Sequence, residues 1–358
     1  GSEFIDNNKL LIYWEDHEGG NLGTFNYAKI IDSDYGISYD NAYNTQFSIM
    51  STNPSQVLPE VKLIGENLFM GFLQDNYVAG QDPGEGFSQY FVILDSELNN
   101  LGDPNGTWLN PSDSFDYSWT GDSQLDLDLV ENDGYIFYFT SLSPIWAGVD
   151  VYVRKVDQNG NILWLEPINL TNAPAYDNYV RVAFSNNENG GAILGYDQSD
   201  SYIYLSSIDS DGNILEGFPK RVCNIDSEQF IKGGVKTEDG IFIYWEDDRS
   251  GDADIYGQYF TFNGEPLGPE EGLPISIYPN DQKSPAITYN DYLDEILVCW
   301  EGYNGTDYDI FCNTIDMTTL TVITQDDGSP LYVLAEGEGG QQNAFIYSAL
   351  NGHYMCTW

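Results

Sequence analysis

The chain has 358 residues, is 41% hydrophobic, and carries 57 Asp and Glu against 12 Lys and Arg, a formal net charge of −45. Size and apolar content exclude a disordered or collagen-like chain and allow one large domain or two smaller ones. The acidic field repels phosphate backbones and anionic membranes, so nucleic acid is excluded as a partner, and no apolar run reaches the ~18 residues that membrane insertion needs.

Gly1-Ser2-Glu3-Phe4 reads as an expression-tag remnant, which leaves residues 5–358 as a domain excised from a larger multidomain protein. The 27 Tyr and 18 Phe suit half-buried strands. The first strong element is LLIYWED at 10–16, and its relatives follow at 68–75 (LFMGFLQD), 135–141 (YIFYFTS), 191–197 (GAILGYD), 241–247 (IFIYWED), 296–301 (ILVCWE) and 353–358 (HYMCTW). They recur at intervals of roughly 50 to 67 residues and define a strand B. After each except the last comes a strand C that closes in a polar turn, as in YVRKVDQNGNIL at 152–163 and YLSSIDSDGNIL at 204–215. Before each except the first lies a strand A: 60–65, 125–132, 178–185, 229–236, 284–290 and 343–351. Segments 166–170 and 273–277 supply a fourth strand after C.

Four antiparallel strands per repeat, with no helical period, predict an all-β fold: a single β-propeller of four-stranded blades. Strand A at 343–351 is expected to complete the blade that begins the chain, which gives six blades, and seven with one incomplete is the alternative.

The pattern W-E-D-x-R-x-G-x-x-D-I-Y-x-Q at 245–258 resembles a propeller repeat common in secreted and cell-surface bacterial proteins. The resemblance implies an extracellular or cell-surface module within a larger chain, monomeric as a domain, and in most such proteins no assigned activity. Two other copies depart from it, since Trp14-Glu15-Asp16 leads into His17 and Glu18, and Trp300-Glu301 has no following Arg.

Within the B-to-C hairpin, Trp245, Trp14 and Trp300 are expected to fill the wedge between sheets. Asp254, with Asp309 and Asp150 as counterparts, is expected to anchor the loop by accepting from its amides, and Arg249 to pair with Asp247 or Asp252. The competing reading is a structural calcium ion, a cation this charge favours. Its candidate ligands are the alternating oxygens of Asp209, Asp211 and Asn213 and the loop acids Asp247, Asp248 and Asp252, without the distant Glu of an EF-hand.

Cys223, Cys299, Cys312 and Cys356 have no zinc spacing. Cys299 and Cys312 flank a hairpin and are either a cross-strand disulfide or buried thiols.

Catalysis has a thin basis and stays uncertain: the carbohydrate-active enzyme, glycosidase or lyase, is the alternative function, and a passive structural module a third. The expected function is adhesion-type binding of a glycan or a surface protein. Trp108, Tyr117, Trp119 and Trp146 are the candidate ligand-binding residues, because they stand in insertions that packing of the repeat does not explain.

Overall fold

The structure is a computed structural model. It describes the backbone of the strands named below and, with side chains, residues 91–95, 99–102, 151–157, 161–170, 193–197, 200–337, 339–348 and 352–358. The chain divides into two compact units, Gly1–Tyr176 and Asp177–Trp358.

In the first unit Ser2–Asp6 (β1), Lys9–His17 (β2), Thr24–Asp32 (β3) and Thr45–Gln46 (β4) form one antiparallel sheet in that order. Gln56–Gly65 (β5), Leu68–Asp75 (β6), Ser88–Leu94 (β7) and Thr107–Trp108 (β8) form the next. Leu127–Val130 (β9), Gly134–Leu142 (β10), Val149–Val156 (β11) and Ile168–Asn169 (β12) form the third.

The second unit continues the series. Asp177–Ser185 (β13), Ala192–Gln198 (β14), Ile203–Ile208 (β15) and Lys220–Arg221 (β16) make the fourth sheet. Gln229–Lys236 (β17), Gly240–Asp247 (β18), Asp254–Thr261 (β19) and Pro266–Leu267 (β20) make the fifth, with Leu273–Ser276 (β21) also on β19. Gln282–Asn290 (β22), Glu295–Tyr303 (β23), Tyr308–Asp316 (β24) and Thr321–Ile323 (β25) make the sixth, with Tyr332–Ala335 (β26) also on β24. Phe345–Ala349 (β27) and His353–Thr357 (β28) pair as a hairpin. Successive four-stranded antiparallel meanders are the blades of a β-propeller, so the chain has the all-β propeller fold that its repeat predicts.

Three expectations are corrected. Ser2–Asp6 forms a first strand, pairing Phe4 with Leu10, so the first sheet does not draw its A strand from 343–351. That segment pairs instead with the chain's last strand, Ile346 opposite Cys356, because adjacent strands joined by a short turn close the least costly loop. The A strands among the described residues therefore number seven where the sequence count gives six. The segment 273–277 is not the sole fourth strand, since Pro266–Leu267 and Leu273–Ser276 divide the outer edge of β19 between them.

The core lies between sheets. Side chains alternate across a strand, and both faces of β18 are covered. Ile241, Ile243 and Trp245 pack on Ile193, Ile203 and Leu205 of the fourth sheet, whereas Phe242 and Tyr244 pack on Ile296, Val298 and Trp300 of the sixth. Two buried faces explain why strand B reads as an unbroken apolar run. Close packing also dictates two glycines. A Cβ at Gly257 would stand 2.3 Å from Phe242 Cζ, and one at Gly272, with φ +83°, would stand 2.7 Å from the Trp245 ring.

Candidate functional site

The acidic hairpin 245–256 is an internal network. Asp247 accepts from Trp245 Nε1 at 3.0 Å, Arg249 N at 3.0 Å, Arg249 Nε at 2.9 Å and Ser227 Oγ at 2.8 Å, and pairs with a second guanidinium nitrogen of Arg249. Arg249 also donates to Glu271 O at 2.9 Å and lies 3.8 Å over the Tyr256 ring, which stacks on Trp245. Burial works to raise the Asp247 carboxyl, but the donors from Arg249, Trp245 and Ser227 outweigh it and hold it below the usual carboxylate range. Asp248 accepts from Glu228 N at 2.9 Å. Asp252 is exposed, and its charge helps to raise Asp254. Asp254 is anchored through the Ser250 hydroxyl at 2.6 Å and Asp309 through the Asn304 side-chain amide at 2.6 Å, rather than through main-chain amides. The arginine pairs with Asp247, and that carboxylate, with four donors and a cation already on it, is an ion-pair partner.

The turns after β7, β11 and β15 share one geometry. Asp209 accepts from Asp211 N at 2.9 Å, from Asn213 N at 2.8 Å and from Asn213 Nδ2 at 3.0 Å. Asp157 holds Asn161 and Asp95 holds Asn99 in the same way, through backbone and side-chain amides. The repeated element is Asp followed four residues later by Asn, a side-chain-closed turn. Among the described residues no group of three or more His, Cys, Asp and Glu is placed to hold a metal.

The Glu of the Trp-Glu pair has a role that sequence reasoning missed. Glu246 Oε1 accepts from Ser284 N at 2.8 Å, and Glu301 Oε1 from Asn343 N at 2.8 Å. Asp197, at the same register in β14, accepts from Ile231 N at 2.8 Å. Each carboxylate thus reaches the A strand of the following sheet or, for Glu301, the approach to it. Two residues before each of these amides stands a Gln whose own N–H bonds the preceding sheet's B-to-C loop or the first residue of its C strand: Gln229 to Ser201 O, Gln282 to Ala253 O and Gln341 to Tyr308 O. The sequence signal was present as Gln-x-x at 229, 282 and 341. A strand bulge at Lys283/Ala286 leaves Ser284 N out of its own ladder and free to make the bond.

Of the candidate binding residues, Trp108 lies in β8 opposite Tyr90, while Tyr117, Trp119 and Trp146 lie outside the described residues. A different aromatic cluster stands at the start of β15. Tyr202 and Tyr204 alternate along the strand, so both project to one face, and Arg221 of β16 pairs opposite Tyr204. The Arg221 guanidinium sits 3.5 Å over the Tyr202 ring and its Nε donates to Tyr204 Oη at 3.3 Å. Tyr204 Oη donates to Asp200 at 2.7 Å, Tyr202 Oη to Asp226 at 2.9 Å, and Arg221 lies 3.7 Å from Asp200.

The Asp226 hydrogen bond raises the Tyr202 phenol and burial raises that of Tyr204, so both remain protonated donors at neutral pH. Arg221, Asp200 and Asp226 are exposed. Tyr204 stacks on the buried Tyr196 and both tyrosines are half-buried, so the groups open to a ligand are the preordered guanidinium and two carboxylates, which can exchange hydrogen bonds with the hydroxyls of a polyol. Alternating Tyr-x-Tyr at the head of a C strand, where the fifth and sixth sheets have Asp254 and Asp309, was the signal that could have found it.

No protein-family model matches the chain, and no curated protein matches it. Among solved structures it is similar to an unknown-function protein from Dyadobacter fermentans DSM 18053, with 7% identity, TM-score 0.49, 87% of this chain and 92% of the other covered. It is also similar to the Dos1 propeller, at 14% identity and TM-score 0.45, with 92% and 71% covered. A thermostable family-43 glycoside hydrolase shows 13% identity and TM-score 0.40, with 80% of this chain and 96% of the other covered.

Proposed function

We propose that the chain is a secreted or surface-displayed propeller module that binds a glycan. The observation that carries this reading is the cluster of Arg221, Asp200 and Asp226, which are exposed, around the half-buried rings of Tyr202 and Tyr204, which hold them in place while Tyr204 itself stacks on the buried Tyr196. The recurrent hairpin acids, by contrast, are engaged in the fold. A disulfide joins Cys299 and Cys312, which supports an oxidising compartment and hence the extracellular placement. Calcium belongs to the reading as counter-charge for a net −45. A melting temperature that rises with calcium chloride and falls back with EDTA is the expected result, and identical curves would remove the ion from it.

The direct test is calorimetric titration of a panel of neutral and acidic oligosaccharides against the wild type, Tyr202→Ala and Arg221→Ala. Because Arg221 is exposed and Tyr202 half-exposed, circular dichroism of both variants should match the wild type. Each variant should lose at least about tenfold in affinity, about 1.4 kcal/mol. Unchanged binding by both would move the site to the insertions that carry Trp108, Tyr117, Trp119 and Trp146. Turnover of the same oligosaccharides would replace the binding module with a carbohydrate-active enzyme.

A further inference from the structure

The layer between the sixth sheet and the terminal hairpin holds three of the four cysteines. Cys299 in β23 and Cys312 in β24 are directly opposite and joined as a disulfide, and both are buried at the centre of the layer with Leu297, Ile310, Ala344 and Ile346. Cys356 of β28 is a free cysteine packed against this same cluster.

Its neighbours fix its level. Asn290 Nδ2 bonds His353 O at 3.5 Å, Tyr354 Oη donates to Glu295 at 2.8 Å, and at the other end Glu301 holds Asn343, the approach to β27. Strand β28 therefore runs alongside β23 in the same direction. Tyr354 and Cys356 share the inward face, and Cys356 lies at the height of the middle of β23, where Cys299 stands. The fourth cysteine, Cys223, belongs to a different layer, between the fourth and fifth sheets.

We propose that Cys356 is the third member of a thiol–disulfide exchange site, able to take Cys299 from Cys312. The thiolate of Cys356 attacks Cys299 Sγ, a Cys356–Cys299 bond forms, and the Cys299–Cys312 bond breaks. The electron pair leaves on Cys312 Sγ, which takes up the proton that Cys356 released, so no external oxidant is consumed. The staple within the sixth sheet, with a sequence separation of 13, becomes a covalent link from that sheet to the hairpin, which closes a much longer loop. Burial pushes the Cys356 thiol up, so the exchange is slow at neutral pH and speeds up as the solution becomes alkaline.

The test uses the whole chain. Wild-type protein is incubated without oxidant between pH 7 and pH 9.5, quenched in acid, denatured, alkylated with N-ethylmaleimide and mapped as unreduced peptides. The expected label at Cys223 and Cys356 is joined, increasingly with pH, by label at Cys312 together with a Cys299–Cys356 peptide, in a proportion independent of protein concentration. In Cys312→Ser, refolded with glutathione disulfide, Cys299–Cys356 is the expected linkage, with a circular dichroism spectrum like that of the wild type. Label confined to Cys223 and Cys356 at every pH overturns the proposal. So does a Cys312→Ser protein whose Cys299 stays reduced or pairs with Cys223, and so does exchange that scales with protein concentration.

Discussion

The B-to-C hairpins of the fifth and sixth sheets occupy the same register, with Asp247 opposite Asp254 in one and Gly302 opposite Asp309 in the other. Both keep the Trp, the following Glu and the Asp that opens strand C. The fifth replaces nothing and adds an ion pair, Asp247 with Arg249, laid over Tyr256. The sixth has Gly302 and Asn304 at those places. A Cβ at Gly302 would stand 2.7 Å from Phe311, the ring that takes the place of Tyr256, and Asn304 bridges Asp307 and Asp309 through its amide. The shared Trp and Glu face the neighbouring sheets, whereas the shared Asp and everything that differs serve to close the loop. The shared Glu is therefore an element of the fold, and the loop acids are local solutions to holding a hairpin together.

This contrast can be broken from the loop side first. Arg249→Ala leaves Asp247, whose side chain is fully buried, without its cation, and should cost about 3 kcal/mol in urea unfolding. Asn304→Ala at the same register removes neutral amide contacts and should cost about 1 kcal/mol. Equal losses would mean that the ion pair adds nothing to the loop.

From the sheet side the two hairpins should instead behave alike. Glu246→Ala and Glu301→Ala each free a main-chain amide between sheets, Ser284 N and Asn343 N, at about 1–2 kcal/mol each. A large effect in one and none in the other would separate what the geometry unites.

The smallest effect is a pH dependence. Burial raises the Asp254 carboxyl despite the Ser250 hydrogen bond, so the folded state binds that proton more tightly than the unfolded one. This residue therefore lowers stability above its folded value, and the penalty fades as pH falls through that value toward the ordinary carboxylate range. Asp254→Asn should gain less than about 1 kcal/mol at pH 7 and nothing by about pH 3. Asp247 runs the other way, since its lowered carboxyl keeps its contribution until strongly acid pH.

Much of the fold was legible because its cause is periodic. The fifth and sixth sheets bury both faces against their neighbours, so IFIYW and ILVCW had to be apolar throughout, and the tight turns drew on Asp, Asn and Gly. The short outer strands were less legible: Lys220–Arg221 and Pro266–Leu267 are two residues long and carry no pattern of their own. The first strand was hidden by reading Ser2–Phe4 as tag-derived. The acids at 246–254 were legible as a B-to-C hairpin with Arg249 on Asp247, but their longer bonds were not: the partners of Glu246, Asp247 and Asp248 include Ser284, Ser227 and Glu228, which belong to other strands and loops. The Tyr202–Arg221 cluster was missed for the same reason, because Arg221 reaches Tyr204 only through strand pairing.

The sequence by itself determined the fold class, the order of the A, B and C strands and the tight turns, since these depend on residues close in the chain and on the alternation of side chains along a strand. The tertiary structure decided which N–H each glutamate clasps, which sulfur atoms join, and which aromatics meet the exposed Arg221. Those outcomes depend on which sheet edges and faces meet, and a carboxylate or a thiol carries no mark of its partner until packing brings the two within bonding distance.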